Sequence, residues 1–355
     1  MASVAAPRTV TLGDACVQFP SPALREIVDS APLLAAGDHA ALRARFEADG
    51  YLFLRGALGR DAVLRARARV MAHLTSLGTV LAPGREEEGV LLERCEAGCV
   101  PFMEGKNELT HSAEVAGVLE GARLRALMAA VLGVLDADVV TFDNKWLRAG
   151  WRSFFTGAHV DRVYMGRGSS RVLTAWIPFG DASLELGALA VLAGSHRLPG
   201  FARLQATYGE LDVERDGFQG TGWFSTDPRE LAAMDPAAQW LATDYRAGDV
   251  VVFGMRTLHM STANTTDRVR ISCDVRWQPA ADARDERYFG AVDEKVKQRQ
   301  KAGAWAGDAP PPQPGGGGEG PAPQGAKRSM ADMRRAWGFA PGGGGGGGGG
   351  ETSPE

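Results

Sequence analysis

Apolar residues recur along this chain in two rhythms, and the change from one to the other divides it. Ala41, Leu42, Ala44, Phe46 and Ala48 follow helical spacing up to Gly50, which predicts a first helix ended there; Tyr51 to Leu54 then reads as a short strand. Gly59 to Leu74 predicts a second helix. Thr75 to His111 has no regular period, and its Glu86-Glu87-Glu88 run reads as a solvated loop. Helical spacing returns over Ala113 to Leu132 and stops at Gly133.

From Val139 onward the pattern is that of strands. VVTFDNKWLR (139–148) is β-branched and aromatic, Leu173 to Phe179 is apolar, and GDVVVFG (248–254) is the continuous run of a strand buried on both faces. The stretch from Arg270 to Trp277 alternates: Arg270, Ser272, Asp274 and Arg276 share one face, while Ile271, Cys273, Val275 and Trp277 share the other. Such a polar face is solvated in most strands, but at a barrel mouth it points into the cavity. Pro199 to Ala247 reads as an insertion containing Tyr208, Phe218, Trp223, Phe224, Trp240 and Tyr245. A segment of that length folds on itself or works as a lid, and its aromatics are candidates to line a substrate pocket.

After Gly290 the composition shifts. PPPQPGGGGEGPAPQG and PGGGGGGGGG cannot bury enough apolar surface to fold. SMADMRRAWGFA between them reads as a short docking helix. The chain therefore divides into an N-terminal extension (1–37), a folded domain (38–300) and a low-complexity tail (301–355) expected to be disordered.

Composition narrows the classes. The chain is 45% hydrophobic and 23% charged with a formal charge of −4, which suits a globular protein and argues against a general nucleic-acid binder. No apolar run reaches the roughly 18 residues of a membrane span. Cys95 and Cys99 lie four apart with no second pair to complete a zinc site, so they and Cys16 and Cys273 read as thiols in a reducing compartment. The first residues lack the apolar core of a secretory signal; a cytoplasmic location is the default and organelle targeting stays open.

The candidate chemistry lies in two clusters. In TGAHVD, His159 and Asp161 stand two apart, so on an extended segment both side chains point to one face. An imidazole and a carboxylate side by side are two thirds of a 2-His-1-carboxylate site, which holds one face of Fe(II) and leaves the others open. About a hundred residues on, His259 follows the GDVVVFG strand, and Arg270 comes eleven residues later. His196, in a turn, is the rival third ligand, and Arg268 shares the parity of Arg270. Arg162, Arg167 and Arg171 follow the metal dipeptide in a glycine-containing loop and are candidates to clamp an anionic substrate.

These clusters, with WIPF and GALAVLAGSH between them, resemble the phytanoyl-CoA dioxygenase family of Fe(II)- and 2-oxoglutarate-dependent oxygenases, over about Leu42 to Gly290. The resemblance implies a mainly β fold with flanking helices, a double-stranded β-helix (jelly roll) with iron at its mouth. It implies His159, Asp161 and His259 as metal ligands, and Arg270 and Ser261 on the distal carboxylate of 2-oxoglutarate. By position it places Trp176, Thr141 and Lys106 beside the cosubstrate. Because related halogenases lack the carboxylate ligand, Asp161 points to hydroxylation of a small organic substrate, with O2 consumed and succinate and CO2 released. A catalytically silent jelly-roll binding protein and a zinc-dependent hydrolase are the other readings, although no H-E-x-x-H helix is present. Substrate identity and oligomeric state lie beyond the sequence.

Overall fold

The computed structural model describes residues 7–93, 95, 106–290 and 327–339. It opens with an antiparallel hairpin, β1 (Arg8–Leu12) and β2 (Ala15–Phe19), turning at Gly13 with φ +60°. The described part of the N-terminal extension thus belongs to the folded body. Ala263 N–H donates to the Thr11 carbonyl at 2.8 Å, and Val10, Leu12, Val17 and Phe19 are core residues. After β3 (Arg25–Glu26) and α1 (Ala31–Ala35) comes α2 (His39–Asp49), capped by the Asp38 carboxylate accepting from Ala41 N–H at 2.9 Å.

Gly50 closes α2 in the left-handed region at φ +80° and leads into β4 (Tyr51–Leu54). A Cβ there would lie 2.5 Å from His196 Nδ1. His196 itself meets the Glu47 carbonyl through Nε2 at 3.0 Å, so it serves the packing of this corner. Gly50→Ala is expected to destabilise the fold by about 1–3 kcal/mol, since strain and overlap add. Thermal unfolding measures it, and an unchanged midpoint would refute the account.

Next come α3 (Arg60–Leu77), α4 (Ala113–Leu119) and α5 (Ala122–Leu132). The single helix expected over 113–132 is broken at Gly121, where a Cβ would sit 2.2 Å from the Gly117 carbonyl oxygen. The expected strand over 139–148 is likewise two, β5 (Val139–Thr141) and β6 (Trp146–Gly150). Between them Lys145 is fully buried, its ammonium donating to Thr141 Oγ1 and pairing with Glu120, each at 3.0 Å.

The remaining barrel elements are α6 (Arg162–Met165), β7 (Leu173–Pro178), β8 (Leu189–Ala193), α7 (Ala202–Ala206), α8 (Pro228–Ala232), β9 (Gln239–Ala242), β10 (Val250–Gly254), β11 (His259–Ser261) and β12 (Arg270–Pro279). One sheet has the order β4-β10-β7-β12-β5, with β6 also pairing β12; the other has the order β11-β8-β9-β3. The expected insertion from Pro199 to Ala247 therefore contains a sheet strand, β9, antiparallel to β8. Its Tyr208, Phe224, Trp240 and Tyr245 are buried in the core.

The larger sheet separates two apolar cores. Leu52, Ala175, Ile177, Val252, Ile271, Cys273, Val275 and Trp277 face the helices, together with α3, α4 and α5 residues such as Val70, Leu119 and Leu127. Phe53, Trp176, Val251 and Phe253 face the other way, into a second core that residues of the smaller sheet such as Val191, Trp240 and Leu241 share. Two sheets packed over one core are the jelly roll the resemblance implies. Each fully buried Leu, Ile or Phe contributes roughly 1.5–3 kcal/mol, so these two layers carry the stability. Beyond the barrel, α9 (Met330–Ala336) is capped by Ser329 and Asp332, so part of the segment assigned to a disordered tail is folded.

Candidate metal centre

The register of β12 decides what enters the barrel. Asp274 pairs with Trp176 and Arg276 with Thr174, so these residues line the inner face, and all ten residues of β12 are buried. The polar row Arg270, Ser272, Asp274, Arg276 is thus internal. Buried charge of this density needs partners. Asp274 takes Arg148 Nε at 3.0 Å, and Arg276 donates through Nη2 to Asp161 at 3.1 Å with its guanidinium 4.2 Å above the Trp146 ring.

His159 and His259 face each other across a two-residue bridge. Each N–H donates to the other's carbonyl, at 3.0 and 3.1 Å, and the ring centroids are 4.1 Å apart. Asp161 does not continue an extended segment as the spacing suggested. The chain turns after His159, and Asp161 is the helical N-cap of α6, its carbonyl accepting from Tyr164 and Met165 N–H. The side chains converge all the same: the donor atoms of His159, Asp161 and His259 lie within 4.8 Å of one another, all buried.

Their orientation is set atom by atom. His159 Nδ1 lies 2.8 Å from the Gly157 carbonyl and His259 Nδ1 lies 3.0 Å from the Thr257 carbonyl. A carbonyl only accepts, so each Nδ1 carries the proton and each Nε2 keeps its lone pair. Both Nε2 atoms stand 3.7 Å from Asp161 Oδ1. The other oxygen, Oδ2, is taken by Thr174 Oγ1 at 2.5 Å and by Arg276. One carboxylate oxygen therefore faces the imidazoles while its twin is anchored.

Electrostatics favour the ligating protonation states. Burial, helped by the neighbouring imidazole, lowers His159 to about 3, and burial also lowers His259. Burial opposes the Asp161 charge, but Arg276, the two histidines and the Thr174 hydroxyl outweigh it and hold the carboxyl well below its usual range. Two neutral imidazoles and an ionised carboxylate suit a divalent first-row metal. Such outer partners typically contribute about 10–100-fold in metal affinity. Thr174→Val is expected to weaken Fe(II) binding within that range, read by anaerobic titration; unchanged affinity would show the anchor to be idle.

Arg270 is buried, and among the described residues its one hydrogen bond is Nη1 to Ser272 Oγ, with Nε unpartnered. Burial, with Arg148 nearby, lowers it to about 10, Asp274 only partly opposing. A buried guanidinium with an unsatisfied donor fits a carboxylate supplied from outside. Ser261, on β11 two residues after His259, accepts from Thr156 N–H at 2.8 Å. Trp176 is inward-facing, edge-on to Tyr245 at 4.9 Å.

Other expected residues are elsewhere. Thr141 pairs with Trp277, which faces the helices, and its hydroxyl donates to the Arg276 carbonyl, so it lies on the opposite face from the metal ligands. Lys106 is half exposed with its ammonium 3.5 Å from Asp143. The three loop arginines are claimed by acids: Arg162 by Glu210 at 2.7 Å, Arg167 by Asp212 and Glu214 at 2.7 and 2.8 Å, and Arg171 by Asp282 at 2.5 Å. Each of the three is thus paired with an acid of the same chain. Arg268 binds Glu88 at the surface, 3.3 Å away, which leaves Arg270 as the internal arginine of the two. Cys95 Sγ lies 3.9 Å from the Thr79 carbonyl oxygen, and Cys99 lies outside the described residues. Arg276 and Thr174, given no role from sequence, belong to the site; strand parity with Arg270 and Trp176 was the signal.

Comparison with known proteins agrees with this geometry. The family model for phytanoyl-CoA dioxygenase (PhyH) matches residues 46–272, more than half the chain. A 1-deoxypentalenic acid 11-beta-hydroxylase from Streptomyces exfoliatus is 26% identical over 293 residues, covering 78% of this chain and 94% of the relative. Its counterpart from Streptomyces arenae is 25% identical over 282 residues, covering 78% and 93%. The apo crystal structure of EctD from S. alaskensis shares the fold at 18% identity and a TM-score of 0.50, covering 80% of this chain and 89% of that chain. No helix among the described residues is long and apolar enough to cross a membrane. With a buried His-Asp-His constellation, an internal arginine and a family match across the barrel, the chain belongs to the phytanoyl-CoA dioxygenase family, as an enzyme that uses Fe(II) with 2-oxoglutarate and O2.

Proposed function

We propose that this enzyme hydroxylates an unactivated C–H bond of a small organic acid. The observation that carries the reading is the pairing of a complete ligand set, His159, Asp161 and His259, with Arg270, a buried cation that has no carboxylate partner among the described residues. His159 and His259 through Nε2 and Asp161 through Oδ1 would hold Fe(II); Arg270 and the Ser261 hydroxyl would take the distal carboxylate of 2-oxoglutarate. Bound Fe(II) supplies the oxidation, in which 2-oxoglutarate and O2 give succinate and CO2 and one oxygen atom goes to the substrate. The chain's own part is to orient the reactants and keep water out. Retention of Asp161 favours hydroxylation over halogenation, and the curated relatives, hydroxylases of 1-deoxypentalenic acid, support a carboxylic acid substrate.

The test is succinate release after O2 is admitted to protein loaded anaerobically with Fe(II) and 2-oxoglutarate. Slow turnover alone, accelerated by a carboxylic acid that itself gains one oxygen atom, is expected. Iron retention with no succinate from any candidate acid would sink the reading.

A further inference from the structure

The segment 327–339 is separated from the barrel by residues 291–326, yet it docks beside the metal centre. Arg328 exchanges backbone hydrogen bonds with the 217–219 stretch: Gln219 N–H donates to its carbonyl at 3.0 Å, and its own N–H donates to the Gly217 carbonyl at 2.9 Å. Met333 is buried in the inner core, Phe339 stacks edge-on to Phe224 at 5.1 Å, and Arg203 donates to the Gly338 carbonyl at 3.0 Å. At the centre Arg334, 3% exposed, donates to the Phe224 carbonyl at 3.0 Å, pairs with Glu230, and lies 4.5 Å above the Phe224 ring.

What Arg334 grips is the flank of the His159 segment. Glu230 Oε2 accepts from Ser225 Oγ at 2.7 Å, while Phe224 N–H donates to the Ala158 carbonyl and Ala158 N–H to the Ser225 carbonyl, both at 2.8 Å. Trp223 covers Gly157, where a Cβ would lie 2.6 Å from the indole, and Gly157 is the residue whose carbonyl orients His159. Residues 157–159 are thus held between the 223–225 stretch on one side and His259 on the other.

We infer that residues 327–339 are a clip in cis that positions the 223–225 wall of the metal centre, with Arg334 as its positioning residue. The inference does not depend on the reaction proposed above, since the contacts exist whatever the substrate. A tethered segment acts at an effective concentration of about millimolar, so the clip stays seated without high intrinsic affinity.

Hydrogen exchange of the Fe(II)-loaded full chain, of a chain ending at residue 326, and of Arg334→Gln, Arg334→Lys and Arg335→Gln tests it. The expected result is exchange about tenfold or more faster at the amides of 157–159 and 217–230 in the truncation and Arg334→Gln, with β7, β10 and β12 unchanged. Arg334→Lys should recover part of the protection, Arg335→Gln, on the exposed side of α9, all of it, and millimolar synthetic peptide 327–339 should restore the truncated chain. Unchanged exchange at 157–159 and 217–230 would overturn the inference. So would acceleration spread equally over the whole barrel, which would make the segment a general stabiliser. If the truncation fails to fold, Arg334→Gln decides alone.

Discussion

His159→Ala is expected to abolish both iron retention and 2-oxoglutarate turnover, with activity falling on the order of 1,000-fold or more. Loss of an outer partner alone typically costs about 10–100-fold, and His159 would supply one of the three protein donors found among the described residues. The imidazole is buried, hydrogen-bonded to Gly157 and packed 4.1 Å from the His259 ring, so its removal also leaves a void. Circular dichroism and the unfolding midpoint of the metal-free variant separate lost chemistry from lost fold. Turnover surviving in a folded His159→Ala protein would mean that the metal is held elsewhere.

Arg270→Ala is expected to raise the half-saturating 2-oxoglutarate concentration by roughly 100- to 1,000-fold while iron binding stays near normal. Removing one member of a buried hydrogen-bonded charge pair costs about 3–5 kcal/mol, much of it from the stranded partner. In the protein without cosubstrate that penalty is absent, because Arg270 has no carboxylate partner among the described residues. The variant should therefore be no less stable than the parent when both are free of 2-oxoglutarate. The parent alone should gain stability on its addition, about 2.7 kcal/mol at a hundredfold excess over Kd. Arg270→Lys should recover little, since an ammonium lacks the planar fork. Unaltered 2-oxoglutarate dependence in Arg270→Ala would remove this residue from the cosubstrate site.

Much of this was legible from periodicity. The alternation over Arg270 to Trp277 separated inner from outer residues correctly, because a strand has a period of two whatever its surroundings. The cluster of His159, Asp161 and His259 was legible from residue type, although the chain turns between His159 and Asp161 where the spacing suggested an extended segment. What periodicity does not reach is anything that depends on three-dimensional neighbours. Arg162, Arg167 and Arg171 look like an anion clamp until Glu210, Asp212, Glu214 and Asp282 arrive from elsewhere in the chain to neutralise them. Thr141 matched by position but fell on the wrong face, since the turn before Trp146 splits one apparent strand into two. The hairpin at Arg8–Phe19 has its own short alternation in ACVQF and a turn at Gly13, but five-residue strands carry too weak a period to stand out from an extension.

The two histidines and the aspartate are held by different kinds of partner, and this bears on how the centre can change by mutation. Each imidazole is oriented by a main-chain carbonyl two residues earlier, Gly157 or Thr257, a group present whatever side chain stands there. Asp161 is oriented by the side chains of Thr174 and Arg276. Single-codon variation can therefore tune the carboxylate by degrees but leaves the imidazole supports in place, so heritable drift in metal affinity has one adjustable arm and two fixed ones.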